Sequence, residues 1–315
     1  MKKDLRIVFM GTPDFAVGIL NKLVSTGANI VGVITAPDKH AGRGRKLNQS
    51  AVKKFAVANN LPVLQPTNLK SEDFLNELEA LKANLQIVVA FRMLPKVVWQ
   101  MPSEGTFNLH ASLLPDYRGA APIHWAIING EEKTGVTTFF IDEKIDTGAV
   151  ILKSETFINP DETVGQLHDR LMHLGADLVV QTVASISEGK AQTTIQPDKA
   201  PKEAPKLFPD NCRIDWSESL DTIYNKVRGL NPFPTAWTEL HNNNEIIQVK
   251  LYDVMKETSE HSFSFGDVIT TKKEIKVAVK NGYLHIKRIK LAGKRTMNSS
   301  DLLNGFKFEQ GSKMV

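Results

Sequence analysis

Over residues 5–91 one unit repeats: a short apolar run, a turn, then apolar residues at helical spacing. Residues 5–10 read as a strand, and Thr12-Pro13 as the N-cap and first position of a helix that turns Phe15, Ile19, Leu20 and Leu23 inward. The strand recurs at 30–35, 63–64 and 85–91, with helices predicted over 50–58 and 71–81 between them. Strands separated by helices pair in parallel, because the helix carries the chain back to the starting edge by a right-handed crossover. The expected class is α/β, a mostly parallel, doubly wound, Rossmann-like sheet. After Met10 only Gly11 stands where a dinucleotide fold shows G-x-G-x-x-G, which argues against an NAD or FAD enzyme.

The next strand departs from the apolar rule. In GTFNLHASLLPDYRGAAP, residues 105–122, Phe107, Leu109 and Ala111 alternate with Asn108, His110 and Ser112. A central α/β strand is expected to be apolar on both faces, so a polar face costs desolvation unless a ligand or a buried partner meets it. The run breaks at Leu114-Pro115 and enters a loop with Arg118 and Gly119, which puts Asn108 and His110 at the carboxyl end of the strand, where open α/β sheets bind ligands. On its own the pair reads equally well as hydrogen-bonded structural residues. Downstream, Asp146-Thr147-Gly148 reads by default as a turn, and Asp142 and Glu143 are rival carboxylates to Asp146.

Composition narrows the setting. At 315 residues and 42% hydrophobic the chain can bury a sizeable core, and its length predicts two domains. Cys212 is the single cysteine, so an internal disulfide or a cysteine-rich metal site is excluded and a reducing, cytoplasmic setting fits; no metal is expected. The first apolar run is too short for a signal peptide, and nothing approaches the length of a membrane span, so no membrane partner is expected. Lys and Arg balance Asp and Glu over residues 1–205, at 22 of each, so the net charge of +4 lies entirely in the last third. Nine cations against Glu274 fall within 272–295, which suggests a polyanion as partner or else a solvated basic face. A second basic stretch, 39–54, holds six cations and no acid in a long connection; its Arg43, Arg45 and Lys46 beside Gly42 and Gly44 are candidate phosphate contacts.

After a helix over 161–187, residues 190–208 carry repeated prolines and read as an extended linker between a catalytic domain, 1–189, and a second domain, 209–315. The second domain has a helix over 219–228 and then short strands only. Asn281-Gly282 between two alternating runs predicts a hairpin, and a slip of the inward phase between Ile286 and Ile289 predicts a bulge near Lys287 or Arg288. These features suggest a small β-barrel of oligonucleotide-binding type.

The order N-x-H, SLLPxxRG and D-T-G, carried here by Asn108, His110, Ser112-Leu113-Leu114-Pro115, Arg118-Gly119 and Asp146-Thr147-Gly148, resembles the formyltransferase superfamily that uses 10-formyltetrahydrofolate. In the second domain RIDW at 213–216, RGLNPFPTAW at 228–237 and DLLNG at 301–305 are similar to the branch that formylates methionyl-tRNA. The resemblance implies formyl transfer from 10-formyltetrahydrofolate, a co-substrate, to the α-amine of methionine on initiator tRNA. It implies Asn108, His110 and Asp146 as catalytic residues and Ser112, Leu113, Leu114 and Pro115 as folate contacts, and it favours Asp146 over its rivals. AFRML at 90–94 stands where the family has a folate-lining segment, with Phe91-Arg92 in place of a small glycine. Two other classes remain. A hydrolase with the same triad would leave the basic stretches without purpose, and a nonenzymatic RNA-binding protein would leave the polar face of the strand unexplained.

Overall fold

The computed structural model describes residues 2–41, 46–200 and 202–315, with the main chain alone at 40, 41 and 46. They form two compact units. The first comprises Met1–Gly119, Thr134–Thr156 and His168–Glu203, and the second Ala120–Lys133, Phe157–Leu167 and Ala204–Val315.

The first unit is built on a seven-stranded sheet: β1 (Ile7–Gly11), β2 (Ile30–Ile34), β3 (Val63–Leu64), β4 (Leu85–Val89), β5 (Thr106–His110), β6 (Lys133–Phe140) and β7 (Val150–Phe157), in the spatial order 7-6-5-4-1-2-3. β1 pairs in parallel with β2 and β4, β2 with β3, and β4 with β5, while β6 joins β5 antiparallel. This is the mostly parallel sheet expected. Every residue of β1 and β4 is buried, which explains why their sequences show no alternation: helices cover both faces. Helix α1 (Asp14–Ser25) buries Phe15, Ile19, Leu20 and Leu23 as expected, but it starts one residue late. Pro13 is still extended at ψ 177° and acts as the cap, and Asp14 brings a negative charge to the first turn, where the helix dipole favours it.

In the connection after β2, Lys39–Ala41 and Lys46–Asn48 pair as the antiparallel strands of a hairpin. Its base is tied down at Asp38, which accepts from Gln65 Nε2 at 2.8 Å and pairs with Lys53. Gln65 first, then Lys53, holds the Asp38 carboxyl below the ordinary carboxylate range. Ser50 caps the following helix, Ala51–Ala58, by accepting from the Lys53 amide at 3.0 Å.

The second unit is β-rich. Five strands form one antiparallel sheet and four another, around a core that includes Trp216, Leu240, Val249, Ile275, Val277, Leu284 and Ile286. The hairpin lies where Asn-Gly placed it, with Asn281 at φ +64° between Ile275–Val279 and Gly282–Ile286. At the predicted irregularity the amides of Lys287 and Arg288 share one acceptor, Asp253 O, at 2.8 and 3.1 Å, and the next strand, Arg288–Leu291, pairs in the other sheet. Two segments from before residue 189, Ala120–Lys133 and Phe157–Leu167, belong to this unit. Ile128 lies against its core, Arg228 Nη1 donates to Glu162 O at 3.0 Å, and the Tyr224 hydroxyl donates to Asp161 Oδ1 at 2.7 Å. Among the described residues no helix is long and apolar enough to cross a membrane.

Candidate active site

β5 delivers the two polar side chains. Asn108 stands opposite Val88 on β4 and Phe139 on β6, and His110 opposite Thr137, so both lie inside the sheet. The strand ends at His110, short of the predicted Ser112, because the chain turns at once: Ser112 Oγ donates to Asp116 O at 2.6 Å, and Thr137 Oγ1 donates to Ser112 O at 2.7 Å. Leu114 is fully buried against Phe139 and Val150, and its carbonyl accepts from Lys153 Nζ. Of the expected folate contacts, therefore, Ser112 and Leu114 direct their side chains into the protein, while Leu113 and Pro115 are half-buried.

This turn brings Tyr117 round to the imidazole. His110 Nε2 lies 2.8 Å from Tyr117 O, and a carbonyl only accepts, so Nε2 carries a proton. The other nitrogen, Nδ1, faces Asp146 Oδ2 at 3.7 Å, beyond hydrogen-bond length. Both side chains are largely buried, at 7% and 14% exposed. The Asn108 amide is half-buried, and among the described residues its side chain has no hydrogen-bond partner.

Asp146 is held from several directions. Its Oδ2 accepts the Gly119 amide at 3.0 Å, and its main chain sits at φ +55°, a left-handed conformation uncommon for a non-glycine residue. Two residues on, a Cβ at Gly148 would lie 1.7 Å from Phe140 O, so the D-T-G turn closes only with glycine there. The rival carboxylates are engaged elsewhere. Asp142 accepts from Thr147 Oγ1 at 2.7 Å and the Lys144 amide at 3.0 Å, and exposed Glu143 pairs with Lys96.

Sequence reasoning missed the residues that brace this arrangement. Gln196 Nε2 lies 3.1 Å from Asp146 O and 2.7 Å from Gly148 O, and its Oε1 accepts from Arg118 Nη2 at 2.9 Å. Arg118 also donates to Pro197 O and Asp198 O, Tyr117 N donates to Lys202 O at 2.8 Å, and Thr194 bridges Val150. The segment expected as a linker is thus bonded to the site-bearing loops at Thr194, at 196–198 and at Lys202. Its prolines spoke for the extension; nothing in them spoke for the docking. In the 90–94 segment, Arg92 turns its guanidinium onto the carbonyls of Pro66 and Thr67.

The remaining candidates are not brought to this site by anything described. Arg43 and Arg45 lie outside the described residues, and of Lys46 only the main chain in the hairpin is described. Among the described residues no group of three or more His, Cys, Asp or Glu is placed to hold a metal ion.

Residues 5–183 match the formyl transferase family and residues 206–307 the formyl transferase C-terminal domain. The chain is similar to the methionyl-tRNA formyltransferase of Flavobacterium johnsoniae, 59% identical over 99% of both chains. It is also similar to that of Bacteroides fragilis, 50% identical over 99% of this chain and 98% of the other. Among solved structures, WlaRD, a sugar 3N-formyl transferase determined with dTDP and 5-N-formyl-THF, shares the fold at TM-score 0.65 and 18% identity over 93% of this chain and 99% of its own. HypX from Aquifex aeolicus in complex with tetrahydrofolic acid does so at TM-score 0.65 and 18% identity, over 96% of this chain and 47% of its own.

Proposed function

We propose that this chain, which belongs to the formyl transferase family, transfers the formyl group of 10-formyltetrahydrofolate to the α-amine of methionine carried on initiator tRNA. The observation that carries the chemistry is the half-buried Asn108 amide without a partner among the described residues, on the same strand as an imidazole whose Nδ1 faces a carboxylate. Supporting the choice of acceptor, the likeness to proteins named for methionyl-tRNA runs through both units of the chain.

Bound 10-formyltetrahydrofolate would supply the formyl carbon and leave through N10. The residues present suit that group. As the amine attacks, charge gathers on the formyl oxygen, and an amide that does not titrate is a fitting donor, so Asn108 stabilises it there. His110 is fixed in one tautomer by Tyr117 and presents Nδ1 as its reactive edge. In the neutral ring Nδ1 accepts the proton released by the attacking amine; the charged ring donates beside Asn108 and gives that proton to N10 as the bond from N10 to the formyl carbon breaks. Asp146 stabilises the charged ring across the 3.7 Å gap and is itself an acceptor for the amine proton. The 112–115 turn, its polar atoms already engaged, contributes shape and the half-buried Leu113 and Pro115 to the folate side. For the tRNA, the cations of 39–54, Arg43, Arg45 and Lys46 among them, are assigned to acceptor-stem phosphates, and the basic second unit to the rest of the molecule.

The deciding experiment is incubation with methionyl-tRNA and 10-formyltetrahydrofolate, followed by mass spectrometry for formylmethionine. Formate released without formylation of the tRNA would point to a hydrolase instead.

A further inference from the structure

We propose that Gln196 is a positioning residue for this reaction, holding the main chain of Asp146 so that its carboxylate stays opposite His110. The inference rests on the catalytic reading of Asp146.

The bonding of Gln196 leaves no freedom in its assignment. Asp146 O and Gly148 O can only accept, so the amide nitrogen must face them, and the Arg118 guanidinium can only donate, so the amide oxygen must face it. Both N–H groups and the oxygen are used. The side chain is about nine-tenths buried, where an unmet amide would be costly, so the arrangement is held as a unit.

What that unit does follows from where it closes. Arg118 and Gly119 are consecutive: the first donates to Gln196, and the second donates its amide to Asp146 Oδ2. Gln196 returns to the carbonyl of the same Asp146. The carboxylate is thereby tied at its tip to one segment, and its backbone at φ +55° is tied to another. A non-glycine residue stays in such a conformation only where its surroundings over-determine it, and Gln196 supplies two of the bonds to this turn. The Gly119 bond alone fixes an oxygen atom. It does not fix the direction from which the side chain arrives, and the 3.7 Å approach to His110 Nδ1 depends on that direction.

Gln196→Met keeps the length of the side chain and removes all three hydrogen bonds. In the full-length protein with methionyl-tRNA and 10-formyltetrahydrofolate, it should lower kcat roughly 10- to 100-fold, the scale set by a misplaced reacting group, and leave KM for both substrates within about twofold. The same substitution is then made in an Asp146→Asn background and followed in single turnovers with enzyme in excess. A residue that acts through the Asp146 carboxylate has little left to lose there, so the further loss should be under about threefold. An equal fold-loss in both backgrounds, or a rise in KM at unchanged kcat, overturns the proposal. If Asp146→Asn alone keeps full turnover, the reading of the site fails first and this inference with it. Should Gln196→Met not fold by circular dichroism, Gln196→Asn, which keeps the amide one methylene short, enters the same cycle with the same two outcomes.

Discussion

Tyr117 O accepts from His110 Nε2 at 2.8 Å, and that bond decides which ring nitrogen is left for chemistry. With Nε2–H directed at a carbonyl, the ring can exchange a proton only at Nδ1, on the side of Asp146. Tyr117 itself stands at φ +61°, so the turn that supplies the carbonyl is held in an uncommon conformation as well.

His110→Ala and Asp146→Asn should each lower turnover roughly 10²- to 10⁴-fold, the range for lost acid-base groups. Asn108→Ala should cost about 10²- to 10³-fold as a lost oxyanion donor. All three variants should keep the far-ultraviolet circular dichroism of the parent. Formylation by His110→Ala at close to the parent rate would remove the imidazole from the mechanism.

Gly148→Ala tests the turn rather than the chemistry. The new methyl would meet Phe140 O at 1.7 Å, and a backbone carbonyl cannot move aside as a flexible side chain can. Overpacking of this kind should lower unfolding free energy by about 3 kcal/mol or more, read by denaturant titration. A variant within about 0.5 kcal/mol of the parent would show that the turn has slack.

The parts of the molecule legible in the sequence were those written in local signals. Apolar runs and helical spacing set the strands of the first sheet, Asn281-Gly282 set a hairpin, and the phase slip before Ile289 located the irregularity at Lys287. Asn108 and His110 stood out because polar residues on a central strand are costly without a purpose. What stayed hidden depends on long-range closure. Nothing near Gln196 signals that its amide meets a turn fifty residues earlier, and nothing in 120–133 signals that Ile128 completes the core of the second unit. The tautomer of His110 depends on a carbonyl, and every residue has one, so sequence could not single out Tyr117.

Tyr224 gives the second unit a pH signature. Burial first, then the hydrogen bond to Asp161, pushes its phenol up to about 12 from an ordinary 10. For an acid whose pKa is raised on folding, the contribution to stability is fully present below the unfolded value and is lost as pH rises through the folded one. Stability should therefore be insensitive to this group up to about pH 10 and fall between about 10 and 12. Other tyrosines and lysines also titrate there, so the readout is the difference from Tyr224→Phe, whose melting temperature should decline less steeply over that window. Parallel curves would mean that the phenol titrates alike in both states.

The last prediction concerns the basic face of the second unit. Of its cations, Lys276 pairs with Glu257, Arg288 with Asp253, and Lys294 lies over the Phe306 ring. Among the described residues Lys273 and Lys287 have no carboxylate partner, and they line one cavity of about 240 Å³ together with Glu274, His285, Asn298 and Ser300. Asn298 stands at a helix N-cap without a side-chain cap bond, and its amide has no hydrogen-bond partner among the described residues. Two lysines against one carboxylate, Glu274, around this hollow leave it a cationic excess, which suits the phosphates of a nucleic-acid backbone, whose binding releases condensed counterions. Replacing Lys273 and Lys287 by Ala should raise KM for methionyl-tRNA roughly 5- to 50-fold at low salt and make the plot of log affinity against log salt shallower by about 2, one for each phosphate no longer neutralised. Affinity for the folate should not change, since these side chains belong to the second unit and the Asn108 strand to the first. An unchanged salt slope would mark both lysines as solvent-facing charge that touches no phosphate.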